Sequence, residues 1–195
     1  MGYTNSEGKF MDVIKAITRY FEEAEIRYFP HEDEREVHAV VCSSSGIHNV
    51  IVQQADNLLR VVVLAGPRVP LKARPAVAEL LARATLTMEM GRLSFDYDKG
   101  ILISRSSYFL DEEKDIFPET VEQIFTATMA CLDYHYPAFM AVAFGGHPPA
   151  RALKALESDE ENEEPPKGQE ESPINPTIRI QLPPKPKDEP NDPDD

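Results

Sequence analysis

The chain has no tryptophan, only two cysteines, and a shortage of positive charge: 20 Lys+Arg stand against 34 Asp+Glu, a formal net charge of -14 over 195 residues. Each shortage excludes something. Without a surplus of Lys and Arg there is nothing to neutralise phosphates, so a basic nucleic-acid binder is excluded, and anionic lipid would repel the chain. Cys42 and Cys131 lie far apart in apolar surroundings, which argues against a disulfide framework and for buried thiols. No stretch approaches the 18 or so apolar residues of a membrane-spanning helix, and the first residues lack a basic region followed by an apolar run. The expected location is the cytoplasm.

Acidity is unevenly distributed. Residues 157–195 hold 13 acidic and 4 basic residues, net -9, together with nine of the 17 prolines. Such a segment has too few apolar side chains to offset the entropy of ordering. The expected organisation is therefore one domain over residues 1–156 and a disordered acidic, Pro-rich tail over 157–195.

Within the domain, Phe10, Val13, Ile14, Ile17, Phe21 and Ala24 recur at three- and four-residue steps, predicting an amphipathic helix over 6–27. Three β-branched runs follow at 37–42, 47–53 and 58–65. The connections at 43–46 and 55–57 are too short for a parallel crossover and predict an antiparallel meander. Val61, Val62, Val63 and Leu64 are apolar without alternation, a pattern tolerated where both faces of a strand are covered.

A second helix is predicted from Arg74 or Pro75 to Met88, with Gly91 as a left-handed cap. Residues 92–97 and 101–109 read as a hairpin around Asp98, Lys99 and Gly100. A third helix opens at Pro118, with Pro137 expected to kink or break it near Asp133, and a short last helix spans 150–156. The order is α-β-β-β-α-β-β-α: an α+β domain with a single antiparallel sheet and helices packed mainly on one face.

The run from Leu80 to Gly145 resembles the bacterial YbjN family of sensory transduction regulators. The matching pieces are Leu80 and Leu81, Gly91 followed by Leu93, Phe95 and Asp96, Gly100, the strand at 103–107, and Asp133, Tyr136 and Pro137. The resemblance implies a fold like that of type III secretion chaperones. Where the family often has an Asn in the second helix, this chain has Ala84 and Thr85.

Candidate chemistry is sparse. His38 and Cys42 fall on one face of a strand, but if Cys42 pairs opposite Ile47 then His48 points to the other face, and no Cys-x-x-Cys or His-Glu-x-x-His spacing supports zinc. Cys131 and His135 are an i, i+4 helical pair without an oriented third group. Ser43, Ser44, Ser45 and Gly46 read as a hairpin turn rather than an anion nest. Arg92, Arg105, Asp96 and Asp98 form a polar face on the second hairpin that could meet a peptide. In the tail, Ile178, Ile180 and Leu182 alternate with Arg179 and Gln181 before Pro183, as in a short strand that could add to a sheet edge.

These residues point to a non-catalytic protein-binding module, chaperone-like or regulatory, that needs no cofactor or metal, binds a partner protein and pairs with itself as a homodimer. The candidate contact residues are Leu93, Phe95, Tyr108 and Phe109 on the domain and Ile178, Ile180 and Leu182 in the tail. A signalling adaptor acting through the acidic tail is a second reading, and a small-molecule enzyme a third.

Overall fold

A computed structural model describes residues 6–88, 91–110 and 116–162. Its elements run α1 (Ser6–Glu23), β1 (Tyr28–His31), β2 (Glu36–Ser43), β3 (Gly46–Ala55), β4 (Leu58–Ala65), α2 (Arg74–Ala84), β5 (Arg92–Asp96), β6 (Ile101–Phe109), α3 (Pro118–Ala143) and α4 (Pro149–Asn162). The six strands form one antiparallel sheet in the order β1-β2-β3-β4-β6-β5. The expected α+β architecture is the observed one, with β1 as an addition at one edge.

Two-residue turns set the register. Ser43 lies opposite Gly46 and Ala55 opposite Leu58, so every inward side chain of the meander is aligned across three strands. Val37, Ala39 and Val41, then Val50 and Val52, then Leu59, Val61, Val63 and Ala65 are all buried. The helices cover this face alone. The long α3 packs on β4, β5 and β6; α1 packs on α3 and on β2 and β3; α2 and α4 pack on α3 and on each other. Phe21, Phe125 and Phe139 are fully buried in this layer, and Phe21 meets Phe125 edge-on with ring centroids 5.7 Å apart. Each such side chain contributes about 1.5–3 kcal/mol through loss of apolar surface to water.

Two buried hydroxyls of the layer are satisfied from within it. Ser104 Oγ donates to Thr128 O at 2.9 Å, and Thr128 Oγ1 donates to Ile124 O at 2.7 Å.

The boundaries differ from expectation at five places. Helix α1 stops at Glu23 because Glu25 takes φ +55° and Ile26 N–H bonds back to Phe21 O at 2.8 Å, a helix-ending motif built without glycine. Strand β1 was not expected because Pro30 sits inside it; the proline is tolerated at a sheet edge, where one of its sides faces no ladder. Helix α2 ends at Ala84, so Gly91 is not its cap. Gly91 instead leads into β5 with φ +76°, so close to α3 that an added Cβ would lie 2.9 Å from Cys131 Cβ. Finally, α3 runs uninterrupted through Pro137, and α4 extends to Asn162.

Candidate functional site

Among the described residues, no helix covers the face of the sheet opposite α1–α4. By register, Val40, Ile51, Val62, Leu64, Ile101 and Ile103 share it. Val40 is 44% and Ile47 68% exposed, while Val62 and Leu64 are only half-buried by their neighbours in the sheet. The continuous apolar run in β4 thus alternates after all: Val61 and Val63 lie at 0% exposure under the helices, and Val62 and Leu64 face outward. Phe29 on β1, 65% exposed, flanks this strip on the same face, while Phe109 on β6, 74% exposed, lies beyond Arg60, Arg105 and Ser107. A contiguous apolar strip on a sheet face is the signature of a surface that another body covers.

A polar cluster ties the β2–β3 turn to α3. Ser43 Oγ donates to Asp133 Oδ1 at 2.7 Å, Ser45 Oγ donates to the same oxygen, and Ser45 Oγ lies 2.8 Å from His48 Nε2. Since both serine protons go to the carboxylate, His48 Nε2 is the donor to Ser45, and the neutral ring carries its proton there. His48 Nδ1 is buried and has no hydrogen-bond partner among the described residues. Burial holds the His48 pKa below the ordinary imidazole value, with the Asp133 charge opposing that shift.

Serine, histidine and aspartate meet here, but their roles are those of a latch. A nucleophilic triad needs the imidazole lone pair on the serine and the carboxylate on the far ring nitrogen. Here the imidazole presents its proton to the serine and the carboxylate holds the hydroxyls.

The other candidate nucleophile is quiet too. His135 Nδ1 is 2.8 Å from the backbone oxygen of Cys131, not from its thiol. Burial pushes the Cys131 thiol up and the His135 imidazole down, opposite to an activated thiolate–imidazolium pair. Cys42 does lie opposite Ile47, so His48 points to the other face from His38 and Cys42. His38 Nε2 instead sits 2.5 Å from Glu36 Oε1. Among the described residues no group of three His, Cys, Asp or Glu side chains could hold a metal ion.

A third feature lies at the opposite edge from β1. Among the described residues, β5 pairs with β6 from Asp96 opposite Ile101 to Arg92 opposite Arg105, and β6 continues to Phe109. Leu110 N–H bonds to Asn57 O on the β4 side at 2.7 Å. Backbone groups alternate sides along a strand, so those of Ser107 and Phe109 point the other way, past the end of β5. Beside this edge opens a groove of about 640 Å³, lined by Arg60, Arg92, Arg105, Ser106, Tyr108 and Ile124 among others. Arg92 and Arg105 are directly opposite, and Arg60, opposite Ser107, is their diagonal neighbour on the same face. Among the described residues none of the three has a carboxylate partner in an ion pair. Asp96, the nearest acid on the hairpin, is held by Lys99 through its backbone N–H at 2.9 Å and its ammonium at 3.6 Å.

Of the candidate contact residues, Tyr108 and Phe109 are exposed at this edge, 48% and 74%. Phe95 is half-buried against the core, its ring 6.0 Å from that of Tyr97. Leu93 requires a correction: it lies opposite Ser104 on the inward face at 4% exposure, so it belongs to the core and not to a contact surface. Ile178, Ile180 and Leu182 lie outside the described residues. The sequence reading missed Arg60 and Val62. The register sum of the β5–β6 hairpin would have placed Arg92 against Arg105, but nothing local announces that β4 brings Arg60 beside them.

No protein-family profile matches the chain, and no curated protein matches it. Among solved structures, it is similar to the crystal structure of YbjN, a proposed transcription regulator from E. coli, at 12% identity and a TM-score of 0.50, over 66% of this chain and 90% of that one. It is also similar to a chain of the HopA1-SchA chaperone-effector complex, at 12% identity and a TM-score of 0.45, over 65% of this chain and 94% of that one. The YbjN likeness shows the fold.

Proposed function

We propose that this protein is a non-catalytic binding module, chaperone-like or regulatory, whose helix-free sheet face docks on an apolar surface of a partner protein. The observation that carries the reading is the strip formed by Val40, Ile51, Val62, Leu64 and Ile103, built on a six-stranded sheet and left open by all four described helices. Binding would draw its energy from burial of this strip, with Phe29 at its flank as an aromatic anchor. The latch-like roles of Ser45, His48 and Asp133 support the non-catalytic half of the reading.

The likeness to YbjN is one of fold, and one fold serves several functions. A second copy is a partner that is always present, and a two-fold pairing of this face with itself is the form the expected homodimer takes. The test is a pair of full-length baits, native and Val62→Asp/Ile103→Asp, compared for retained proteins and for molar mass by light scattering. Loss of a retained protein, or of dimer mass, in a variant with unchanged circular dichroism supports the face. Retention of the same protein at the same mass by both baits contradicts it.

A further inference from the structure

Three apolar rows cross the helix-free face toward one end of the strands. Ile51 on β3 lies opposite Val62 on β4, Leu64 on β4 lies opposite Ile103 on β6, and Ile101 stands two residues back along β6. All five are half-buried within the sheet. Beyond the row of Ile51 and Val62 the face turns polar, with Gln53 opposite Arg60. Successive rows stand two residues apart along a strand, a repeat of about 7 Å.

That repeat describes what fits. An extended segment lying along β4 and β6 matches the patch if it carries an apolar side chain at every second residue, three times over. Its backbone need not join a ladder, because a segment on the face of a sheet keeps its N–H and C=O groups in water.

Four stretches lie outside the described residues: 1–5, 89–90, 111–115 and 163–195. Only the last holds three apolar residues at alternate positions: Ile178, Ile180 and Leu182, separated by Arg179 and Gln181. Pro176 before them and Pro183 and Pro184 after them have fixed φ, which lowers the entropy lost when the segment is held in place.

The segment is also within reach. Helix α4 packs on α2, α2 packs on β5, and β6 is the next strand in. At about 10 Å per helix layer and about 5 Å per strand, the path from α4 round the β5 edge to β6 is roughly 30 Å. The 15 residues 163–177 extend to roughly 50 Å, and as a flexible chain they average about 22 Å end to end. Such a tether gives the segment a local concentration in the millimolar range, at which a contact of three side chains stays closed.

We propose that residues 178–182 lie on the helix-free face of their own molecule, with Ile178, Ile180 and Leu182 over its three apolar rows, and that a partner protein gains the face by displacing them. The inference rests on the reading of this face as the docking surface and adds its regulation. The tail covers an apolar strip that otherwise stands in water and promotes association, and it sets a threshold that a partner must exceed.

Methyl NMR on the full-length chain tests it. The methyl resonances of Val62, Leu64 and Ile103 should shift between the native chain and Ile178→Asp/Ile180→Asp, while those of Val61 and Val63, under the helices, stay in place. A synthetic peptide of residues 172–184, added to that variant at millimolar concentration, should return the shifted resonances toward their native positions. Native positions reached only as protein concentration and dimer mass rise assign the cover to a second copy and overturn the proposal. Coincident spectra of the native chain and the tail variant, with protein capture still lost in Val62→Asp/Ile103→Asp, overturn the tail contact and leave the docking face standing. Capture retained by that face variant overturns both.

Discussion

Ser43 Oγ donates a 2.7 Å hydrogen bond to Asp133 Oδ1 across 90 residues of sequence, joining the β2–β3 turn to the middle of α3. Asp133 also receives Ser45, and Ser45 is fixed by His48, so one carboxylate oxygen organises the turn, the strand and the helix. The cluster holds the end of the meander against α3. Its removal is a stability experiment.

Asp133→Ala leaves two serine hydroxyls without their acceptor and should cost about 1–3 kcal/mol, measured by urea unfolding. Ser43→Ala combined with Asp133→Ala should cost less than the sum of the two single changes, since they share one bond. Strict additivity would show that the contact contributes nothing.

The pH dependence of stability follows from His48 and His135. Burial lowers both folded-state pKa values below the unfolded value near 6.5, so between the two values the unfolded chain binds more protons than the fold. Stability from these groups is therefore complete above pH 6.5 and falls as pH drops through the window down to the depressed values. Each contributes a slope of up to about 1.4 kcal/mol per pH unit there. His48→Gln should reduce the slope of unfolding free energy between pH 6.5 and 5; an unchanged slope would mean that His48 titrates alike in both states.

Neighbouring residues of β4 should respond in opposite ways. Val63→Thr places a hydroxyl under the helices and should cost about 1–3 kcal/mol, whereas Val62→Thr, on the helix-free face, should change stability by about 0.5 kcal/mol or less. Equal costs in the isolated chain would show that both faces are covered.

The thiols should separate by reactivity. Cys42 is half-buried on the helix-free face, while Cys131 is buried under the helices with its thiol pKa raised. Alkylation of the native chain at pH 8 should label Cys42 first and Cys131 only on unfolding, read by mass spectrometry. Labelling of Cys131 at the rate of Cys42 would show that α3 opens.

Much of this architecture is legible in the chain because it is written in short-range signals. Turns too short to cross over require the meander, and the threefold and fourfold spacing in α1 and α3 shows which side of each helix is inward. Other features depend on tertiary context. Glu25 ends α1 with a left-handed residue that carries no sequence preference for the role. Pro30 reads as a break until a sheet edge makes it tolerable, and Pro137 reads as a break until packing of α3 on the sheet holds the helix together.

The same limit applies to the surfaces. The exposure of Tyr108 and Phe109 agrees with their place on the hairpin, but Leu93 reads as a surface residue because alternation shows that residues share a face, not which face is covered. The β4 run suggested cover on both sides, and only the arrangement of all four helices shows that one side is open. Asp133 reads as a polar residue on a helix, since its partners lie 90 and 88 residues away.

The central claim is that the helix-free face is where a partner protein docks, and site-specific photo-cross-linking tests it most directly. A photoreactive side chain is placed at Val62 or Ile103 on that face, or at Ala82 on the exposed side of α2 as the control, and the full-length protein is irradiated in its source cell. The account predicts one recurrent cross-linked protein, or a cross-linked dimer, from Val62 and Ile103 and none from Ala82. Cross-links from Ala82 with none from Val62 and Ile103 would contradict it.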